Sequence, residues 1–325
     1  MSVALITGIT GQDGIHLTKF LLEKGYKIHG IISGRENEQY AKFQLLFPSV
    51  TLHHGDLADS SSLIRVINAV RPTEIYNLGA ISFVGMSFLQ PEFTSNITGL
   101  GCLRLLESVR QLNLEDKIKF YQASSSEMFG KVKEAPQNEK TPFYPSSPYG
   151  VAKTFAHYTS VNYREAYGMF ISMGILFNHE GEYRGHDYVT RKISSNIARI
   201  KLGKQKKFSL GDLSAQRDWG YAGDYVDAMW RMLQHDNADD FVVATGKTFT
   251  VRNFVETAIK TAELPGQVED YVNYDVRMVR PTEVNLLVGD ASKAKEILGW
   301  EPSTNFENLV DIMVENDLRI ETLRS

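Results

Sequence analysis

The chain has 325 residues, of which 42% are hydrophobic, 23% are charged and 11% are aromatic. These proportions are typical of a folded globular protein and exclude the disordered, collagen-like and coiled-coil classes. The net charge of −4 argues against a partner that is a nucleic acid or an anionic membrane, and the single cysteine, Cys102, excludes an intrachain disulfide. No apolar run approaches the roughly 18 residues of a membrane helix, and residues 1–6 lack the pattern of a signal peptide, so we expect a cytoplasmic protein.

The first half of the chain alternates short apolar runs with longer amphipathic runs. The short runs are rich in β-branched and aromatic residues, which predicts strands at 3–7, 26–32, 50–53, 73–78, 118–123 and 170–177. Apolar residues at helical spacing predict helices at 13–24, 59–70, 88–112 and 149–167. This alternation predicts an α/β fold with a doubly wound parallel sheet of the Rossmann type.

After about residue 178 the pattern becomes irregular. Helical spacing recurs near 189–202, 224–234, 250–262 and 304–317. We interpret residues 1–177 as a dinucleotide-binding domain and residues 178–325 as a smaller mixed α/β lobe, with chain crossings between the two. The lobe is expected to cover the carboxyl edge of the sheet, where doubly wound folds bind their ligands.

Three glycines, Gly8, Gly11 and Gly14, follow the first predicted strand and open a helix. Glycines in this place permit a tight turn and a close approach of the backbone to a pyrophosphate, and the helix offers free N–H groups to the phosphates. The second strand ends near Ser33 and Arg35, where an NAD site often has an acidic residue for the ribose 2′-hydroxyl. A hydroxyl and a guanidinium suit a 2′-phosphate, so the sequence favours NADP over NAD.

A candidate catalytic group combines a predicted strand end with the helix that follows. Tyr149 and Lys153 share one helix face, and an ammonium beside a phenol would lower the pKa of Tyr149 and make it a base at neutral pH. Ser125 and Glu127 alternate with the residue between them, so in an extended chain their side chains point the same way. A carboxylate is what proton abstraction beside a ketone requires; the alternative is that Glu127 only caps the next segment.

Over nearly its whole length the chain resembles the GDP-mannose 4,6-dehydratases, a family of extended short-chain dehydrogenases. The motifs that carry the resemblance include GITGQDG (8–14), FYQASSSEMFG (120–130), PFYPSSPYGVAK (142–153), GILFNHE (174–180) and QRDWGYAGDYV (216–226). The resemblance implies a redox-neutral lyase with a GDP-sugar substrate. Such an enzyme oxidises C4 of the hexose, eliminates water across C5 and C6, and returns the same hydride to C6.

The resemblance also implies roles by position. Tyr149 would be the base at O4 with Lys153 as its partner, Ser125 would bond O4, and Glu127 would take the C5 proton and donate to the departing C6 hydroxyl. Cofactor contacts are implied for the loop residues Gly8, Thr10, Gly11, Gln12, Asp13 and Gly14, and for Asp56, Leu57, Leu78, Gly79, Ala80, Ser82, Phe93, Tyr149, Lys153, His179 and Arg184. Substrate contacts are implied for Ser82, Ser125, Glu127, Asn178, Val189, Lys192, Gly211, Arg217, Arg280 and Glu283. No metal ion is expected.

Two departures from the family pattern bear on assembly and specificity. Residues 34–48 form a much shorter segment than the arm that reaches a neighbouring subunit in many family members. Helices 88–112 and 149–167 carry apolar residues on more than one face, which predicts a homodimer built on a four-helix bundle and leaves a homotetramer open. Ile81 and Phe83 stand where the family commonly has polar residues, which predicts a more apolar pocket.

Three alternative functions fit the same residues. A 4,6-dehydratase of a GDP-linked heptose would need the same catalytic groups. A GDP-4-keto-6-deoxyhexose reductase or epimerase would use the serine, tyrosine and lysine without needing Glu127. A non-enzymatic NADP-binding regulator would need only the glycine loop, and such proteins often lose the tyrosine or the lysine that this chain retains.

Overall fold

A seven-stranded parallel sheet forms the centre of the computed structural model, which describes residues 2–34, 37–276 and 286–324. The strands of the chain are β1 (Val3–Thr7), β2 (Lys27–Ile32), β3 (Thr51–His54), β4 (Glu74–Asn77), β5 (Lys119–Ser125), β6 (Ile171–Leu176), β7 (Asn178–Glu180), β8 (Phe208–Leu210), β9 (Gln216–Arg217), β10 (Trp219–Tyr221), β11 (Asp240–Val243), β12 (Phe249–Thr250), β13 (Val272–Tyr274) and β14 (Leu286–Leu287).

Helices cover both faces of this sheet and build the second lobe. They are α1 (Gln12–Glu23), α2 (Glu38–Leu46), α3 (Ser60–Val70), α4 (Val84–Leu89), α5 (Pro91–Thr94), α6 (Gly101–Gln111), α7 (Pro148–Tyr167), α8 (Val189–Lys201), α9 (Ala222–Gln234), α10 (Val251–Thr261), α11 (Val268–Tyr271), α12 (Ser292–Leu298) and α13 (Phe306–Leu323). A π-helical segment, Ser95–Leu100, joins α5 to α6, and a 3₁₀ turn, Ser126–Met128, follows β5.

The central strands lie in the order β11–β6–β5–β4–β1–β2–β3, and every neighbouring pair is parallel. The chain runs outward from β1 to β3 and then returns to place β4 on the other side of β1. Ligands of doubly wound sheets bind where the strand order reverses in this way, at the carboxyl ends of the strands. The predicted doubly wound fold is therefore confirmed, and the loop after β1 lies at the reversal.

Each layer has its own apolar core. Leu21 of α1 packs with Met229 of α9 on one face of the sheet, and Leu105 of α6 belongs to the core on the other face. The second lobe closes around Phe254 of α10 and Val310 of α13. Within the three ranges that the structure describes, no helix has the length and hydrophobicity needed to cross a bilayer.

The six strands predicted in the first half are all present, with bounds that differ by at most two residues. The single helix predicted over 88–112 is wrong. The chain breaks at Gln90, whose φ of −134° and ψ of 63° are not helical, because the residue before a proline is disfavoured in the helical region. Pro91 then begins α5, followed by the π-helical segment and α6.

The chain crosses between the two parts after residue 178. Strand β11 pairs with β6 in the central sheet, and α9 packs against the same layer. Helices α8, α10, α11 and α13 form the core of the second lobe, whereas α12 packs into the core beside the central sheet. We retain the division at residue 177, with these crossings, as a proposal.

Candidate active site

A cleft of about 870 Å³ lies between the carboxyl edge of the sheet and the second lobe. Its lining residues follow β1, β4, β5 and β6 on one side and come from α8 and the loop before β9 on the other. The structure brings most of the predicted site residues together here. Those that line the cleft are Gly8, Thr10, Gly11, Gln12, Asp13, Gly14, Leu78, Ala80, Ser82, Ser125, Glu127, Tyr149, Lys153, Asn178, His179, Arg184, Val189, Lys192, Gly211 and Arg217.

A smaller set of predicted cofactor residues does not line this cleft, namely Ser33, Asp56, Leu57, Gly79 and Phe93. Leu57 is buried in the core between the sheet and α6. Phe93 lies on α5 with 49% of its surface exposed. Cofactor contacts by Leu57 and Phe93 stay predictions. The predicted residues Arg35, Arg280 and Glu283 lie outside the described residues.

The chain bends immediately after β5. The hydroxyl of Ser125 accepts a hydrogen bond from the backbone N–H of Glu127 at 3.2 Å and so caps the 3₁₀ turn. The expectation that an extended strand continues through Glu127 is therefore wrong. Both side chains nevertheless line the cleft. Because the cap comes from Ser125, the alternative role of Glu127 as a cap has no support in this geometry.

Helix α7 presents Tyr149 and Lys153 to the end of β5. The Nζ of Lys153 donates to the carbonyl oxygen of Ala123 at 2.7 Å, and burial lowers the pKa of its ammonium to about 8. Burial raises the pKa of Tyr149, with Tyr188 and Glu127 adding to this effect, while hydrogen bonding to Ser125 opposes it. The predicted lowering of this pKa is thus wrong, because burial is the largest effect on Tyr149 and raises its pKa.

His157 fixes the same helix to β5 one turn further along. Its Nδ1 lies 2.9 Å from the hydroxyl of Ser124, and its Nε2 lies 3.6 Å from a carboxylate oxygen of Asp240. That carboxylate also pairs with Arg164 of α7 at 2.8 Å. The catalytic face of α7 is therefore held in register with the strand end by contacts outside the cleft as well as inside it.

The turn from β1 into the first turn of α1 requires glycine at two positions. Gly8 has a φ of 67°, and a Cβ there would lie 2.9 Å from the backbone nitrogen of Gly79. A Cβ on Gly14 would overlap the carbonyl oxygen of Ile9. These constraints bring the N-terminus of α1, with its free N–H groups and positive dipole end, to the cleft.

A partly buried ion pair lies beside this loop. The Nε2 of His179 is 2.8 Å from a carboxylate oxygen of Asp13, and its Nδ1 is 2.7 Å from the carbonyl oxygen of Phe177. Both neighbours are acceptors, so the ring donates from both nitrogens as an imidazolium. Burial opposes this charge, but Asp13 outweighs burial and raises the pKa of His179. The same pair lowers the pKa of Asp13 in spite of its burial.

Gln12 supplies a further indication of what the loop can hold. Its Nε2 donates to Asp13 at 3.1 Å and to the carbonyl oxygen of His179 at 3.0 Å. Its Oε1 is buried and has no hydrogen-bond partner among the described residues. A helix N-terminus, an adjacent imidazolium and an unused buried acceptor fit the pyrophosphate and ribose hydroxyls of a dinucleotide.

The second lobe contributes cations to the opposite side of the cleft. Lys192 of α8 and Arg217 of β9 both line it, and such cations suit a diphosphate. Burial lowers the pKa of Lys192, while Asp275 opposes the effect. Asn178 adds a buried Oδ1 without a partner in the described part of the chain. Across residues 2–34, 37–276 and 286–324, no group of three or more His, Cys, Asp or Glu side chains is placed to hold a metal ion.

Comparison with known sequences identifies the family. A sequence profile described as GDP-mannose 4,6 dehydratase matches residues 5–313. The GDP-mannose 4,6 dehydratase of Homo sapiens is 49% identical over 98% of this chain and 92% of its own length. That of Dictyostelium discoideum is 50% identical over 97% of this chain and 96% of its own length. The chain belongs to the GDP-mannose 4,6-dehydratase family.

Solved structures share the fold of this GDP-mannose 4,6-dehydratase family member. A dTDP-glucose 4,6-dehydratase from Bacillus anthracis, in complex with NAD, superimposes with a TM-score of 0.84 at 23% identity, covering 99% of this chain and 98% of the other. A UDP-glucose 4-epimerase from Bifidobacterium longum, in complex with NAD⁺ and UDP, gives a TM-score of 0.85 at 19% identity, covering 99% of both chains. These likenesses support the fold described above.

Tyr188 is among the residues that line the cleft of this GDP-mannose 4,6-dehydratase family member but were not predicted from its sequence. Tyr188 directly precedes α8, and its hydroxyl lies 2.7 Å from that of Ser82. Its ring contacts Phe83, with centroids 5.7 Å apart. Phe83, which was expected to make the pocket more apolar, also lines the cleft. Tyr188 lies in a loop without periodicity, so the sequence pattern carried no signal for it.

The Asp13–His179 pair leads to a prediction about stability and pH. Removing one partner of a fully buried pair costs about 3–5 kcal/mol. This pair is partly exposed, so His179→Gln is expected to lower the free energy of unfolding by less than that. The pKa of His179 is raised in the folded chain above its ordinary value of 6.5. The stabilisation that His179 gives to the folded chain is therefore complete below pH 6.5 and is lost as the pH rises through the folded pKa. Denaturant unfolding of both proteins across this range measures the difference.

Asp13→Asn serves as the matched partner variant. It removes the charge that raises the pKa of His179, so the same pH dependence should disappear. A difference between wild type and His179→Gln that stays constant from neutral to alkaline pH would contradict the assignment of an imidazolium.

Proposed function

We propose that this chain converts GDP-D-mannose to GDP-4-keto-6-deoxy-D-mannose with the residues gathered in the cleft. As a member of its family it is a nucleotide-sugar 4,6-dehydratase, which is a hydro-lyase. We infer the residue roles from one observation. A carboxylate, that of Glu127, lines the same cleft as Ser125, Tyr149 and Lys153. A simple dehydrogenase site needs the last three residues, whereas proton abstraction from C5 needs the carboxylate as well.

The first step is oxidation at C4. A nicotinamide nucleotide held by the loop after β1 would supply the acceptor for the C4 hydride and would return the same hydride to C6. Tyr149 takes the O4 proton while Ser125 holds O4. Since burial raises the pKa of Tyr149, the phenolate depends on nearby cations, and Arg184 acts in that direction. Lys153, held by the carbonyl oxygen of Ala123, adds a second cation on the same helix face.

The second step is elimination across C5 and C6. The C4 ketone makes the C5 proton acidic, and the carboxylate of Glu127 removes it. The protonated carboxyl then donates that proton to the C6 hydroxyl, which leaves as water. Glu127 ends the elimination in the ionised form in which it began, so one residue serves as both base and acid. When the hydride returns to C6, C5 takes up one proton and Tyr149 releases the O4 proton, so the net loss from the sugar is one water.

The diphosphate of the sugar nucleotide is proposed to lie against the second lobe. Lys192 and Arg217 would bind its phosphate oxygens, with Val189 and Gly211 beside them. The unused acceptor of Asn178 would take a hydroxyl of the substrate. Arg280 and Glu283 are proposed contacts from the family pattern alone.

We propose NADP as the cofactor in preference to NAD. Solved relatives of this fold include the protein RMD from Pseudomonas aeruginosa complexed with NADPH and the Bacillus anthracis dehydratase in complex with NAD, which supports a nicotinamide nucleotide. Ser33 at the end of β2 and Arg35 suit a 2′-phosphate better than the bare hydroxyl of NAD. Nucleotide released by heating the purified protein and identified by mass is expected to be NADP, and recovery of NAD alone would contradict this choice.

We propose a cytoplasmic homodimer. An apolar groove of about 590 Å³ runs along α7, with Leu103 of α6 at its side. Val151, Phe155 and Tyr158 line it with 54%, 44% and 56% of their surfaces exposed. Pairing α6 and α7 with the same helices of a second copy would cover these side chains in a four-helix arrangement. A tetramer would need a second interface.

Incubation of the purified protein with GDP-mannose, without added cofactor, tests the proposed activity. The expected product is one water lighter than the substrate by mass, carries a C6 methyl group by NMR, and forms over many turnovers per bound nucleotide. Turnover only in proportion to added NADPH would show a reductase instead. Faster turnover of a GDP-linked heptose would move the assignment to that sugar, and a protein inert toward every GDP-sugar would favour the regulator.

A further inference from the structure

A hydrogen bond joins the two sides of the cleft. The hydroxyl of Tyr188 lies 2.7 Å from that of Ser82, although the two residues are 106 positions apart in the chain. Ser82 follows β4 in the first part of the fold, and Tyr188 precedes α8 in the second lobe. We call this pair the Ser82–Tyr188 bridge.

The ring of Tyr188 is held from two directions. The guanidinium carbon of Arg184 lies 3.5 Å from its centroid, and Arg184 is itself fixed by Glu180 at 2.9 Å. The ring of Phe83 meets it in an edge arrangement with centroids 5.7 Å apart. Such contacts orient an aromatic ring, so the hydroxyl is presented to Ser82 by groups other than a ligand.

The bridge lies beside the residues proposed to carry the chemistry. Ser82 and Tyr188 line the same cleft as Glu127 and Tyr149. Tyr188 is also close enough to Tyr149 to help raise the pKa of that phenol. A bound hexose that reaches Tyr149 would therefore lie next to the bridge.

We propose that the Ser82–Tyr188 bridge retains the oxidised sugar in the cleft until the hydride has returned to C6. The inference rests on the proposed function. After the first step the sugar has lost a hydride from C4 and the O4 proton, so a 4-keto sugar is bound. If that sugar leaves early, its two electrons stay on the protein as reduced cofactor, and the next cycle cannot begin.

A bond between two neutral hydroxyls suits this task. It connects two sides that must separate when substrate enters and product leaves, and it contributes only a small free energy. The bridge can therefore open and close in each cycle, whereas an ion pair in the same place would resist opening. The oxidised intermediate is retained because its release requires the bridge to break.

Tyr188→Phe and Ser82→Ala each remove the bridge by deleting one of its two hydroxyls. The double variant tests whether both substitutions act through the same hydrogen bond. The measured quantity is the fraction of enzyme that carries reduced nicotinamide during turnover of GDP-mannose, followed by its absorbance. Each variant is expected to raise this fraction about fivefold, the change that loss of one such hydrogen bond allows, and to release a 4-keto GDP-hexose that keeps its C6 hydroxyl. The double variant should match the single variants, because all three lack the same bond.

Tyr274→Phe is the matched control, since Tyr274 is 67% exposed on β13 and does not line the cleft. The fraction of this variant that carries reduced nicotinamide should equal that of wild type. An unchanged reduced fraction in both bridge variants, or single effects that multiply in the double variant, would overturn the proposal. Wild type that forms no dehydrated product would instead overturn the proposed function, so the two failures are distinguishable.

Discussion

Glu127→Gln is expected to abolish dehydration while leaving oxidation at C4 in place. Glutamine has the shape of glutamate but cannot take a proton from C5. General acid–base catalysis contributes about 10²–10⁴ in rate, so kcat for the dehydrated product should fall by that order. Because Tyr149 and Ser125 are untouched, each enzyme molecule should still oxidise one sugar and hold its cofactor reduced. Product by NMR and the absorbance of reduced nicotinamide measure the two parts of this prediction.

An exposed glutamate outside the cleft gives the control. Glu134 is such a residue, and Glu134→Gln should retain the wild-type rate. If Glu127→Gln formed dehydrated product at a rate close to wild type, elimination would use another group. The active site would then be that of a reductase or epimerase, in which Glu127 is dispensable.

Tyr149→Phe is expected to stop the reaction one step earlier. Phenylalanine keeps the ring and its packing but cannot accept the O4 proton, so kcat should again fall by about 10²–10⁴. In contrast to Glu127→Gln, no reduced cofactor should accumulate, because C4 is never oxidised. The same absorbance measurement, made in a single turnover, separates the two variants.

Tyr144→Phe is the matched control for this variant, since Tyr144 is 59% exposed. It should behave as wild type. Accumulation of reduced cofactor in Tyr149→Phe at the wild-type rate would show that another residue removes the O4 proton, and Tyr188 would be the first to test because it lies beside Tyr149 in the cleft.

The parts of the fold that depend on local pattern could be predicted from the sequence. The strand 3–7 and the glycines after it are determined by adjacent residues, and the structure has β1 at Val3–Thr7 with the loop turning at Gly8. The helix predicted over 88–112 failed because its apolar spacing continues through Pro91, while the backbone before a proline leaves the helical region. Periodicity describes which face is buried and is insensitive to such a break.

The candidate site was less predictable where it depends on how the two lobes meet. Asp13 and His179 were both expected near the cofactor, but the ion pair between them joins residues 166 positions apart. The raised pKa of Tyr149 follows from burial in the finished fold, which helical spacing alone does not report. The Ser82–Tyr188 bridge depends on a loop without periodicity and was missed for that reason.

The transfer of deuterium from C4 to C6 tests the central claim most directly. GDP-mannose that carries deuterium at C4 is mixed with the enzyme, and the product is examined by NMR and mass. We expect one deuterium in the C6 methyl group of each product molecule, and no exchange with an unlabelled substrate present in the same mixture. A methyl group without deuterium, with the label lost to solvent or to free cofactor, would contradict a redox-neutral dehydration carried out by Tyr149 and Glu127 in one cleft.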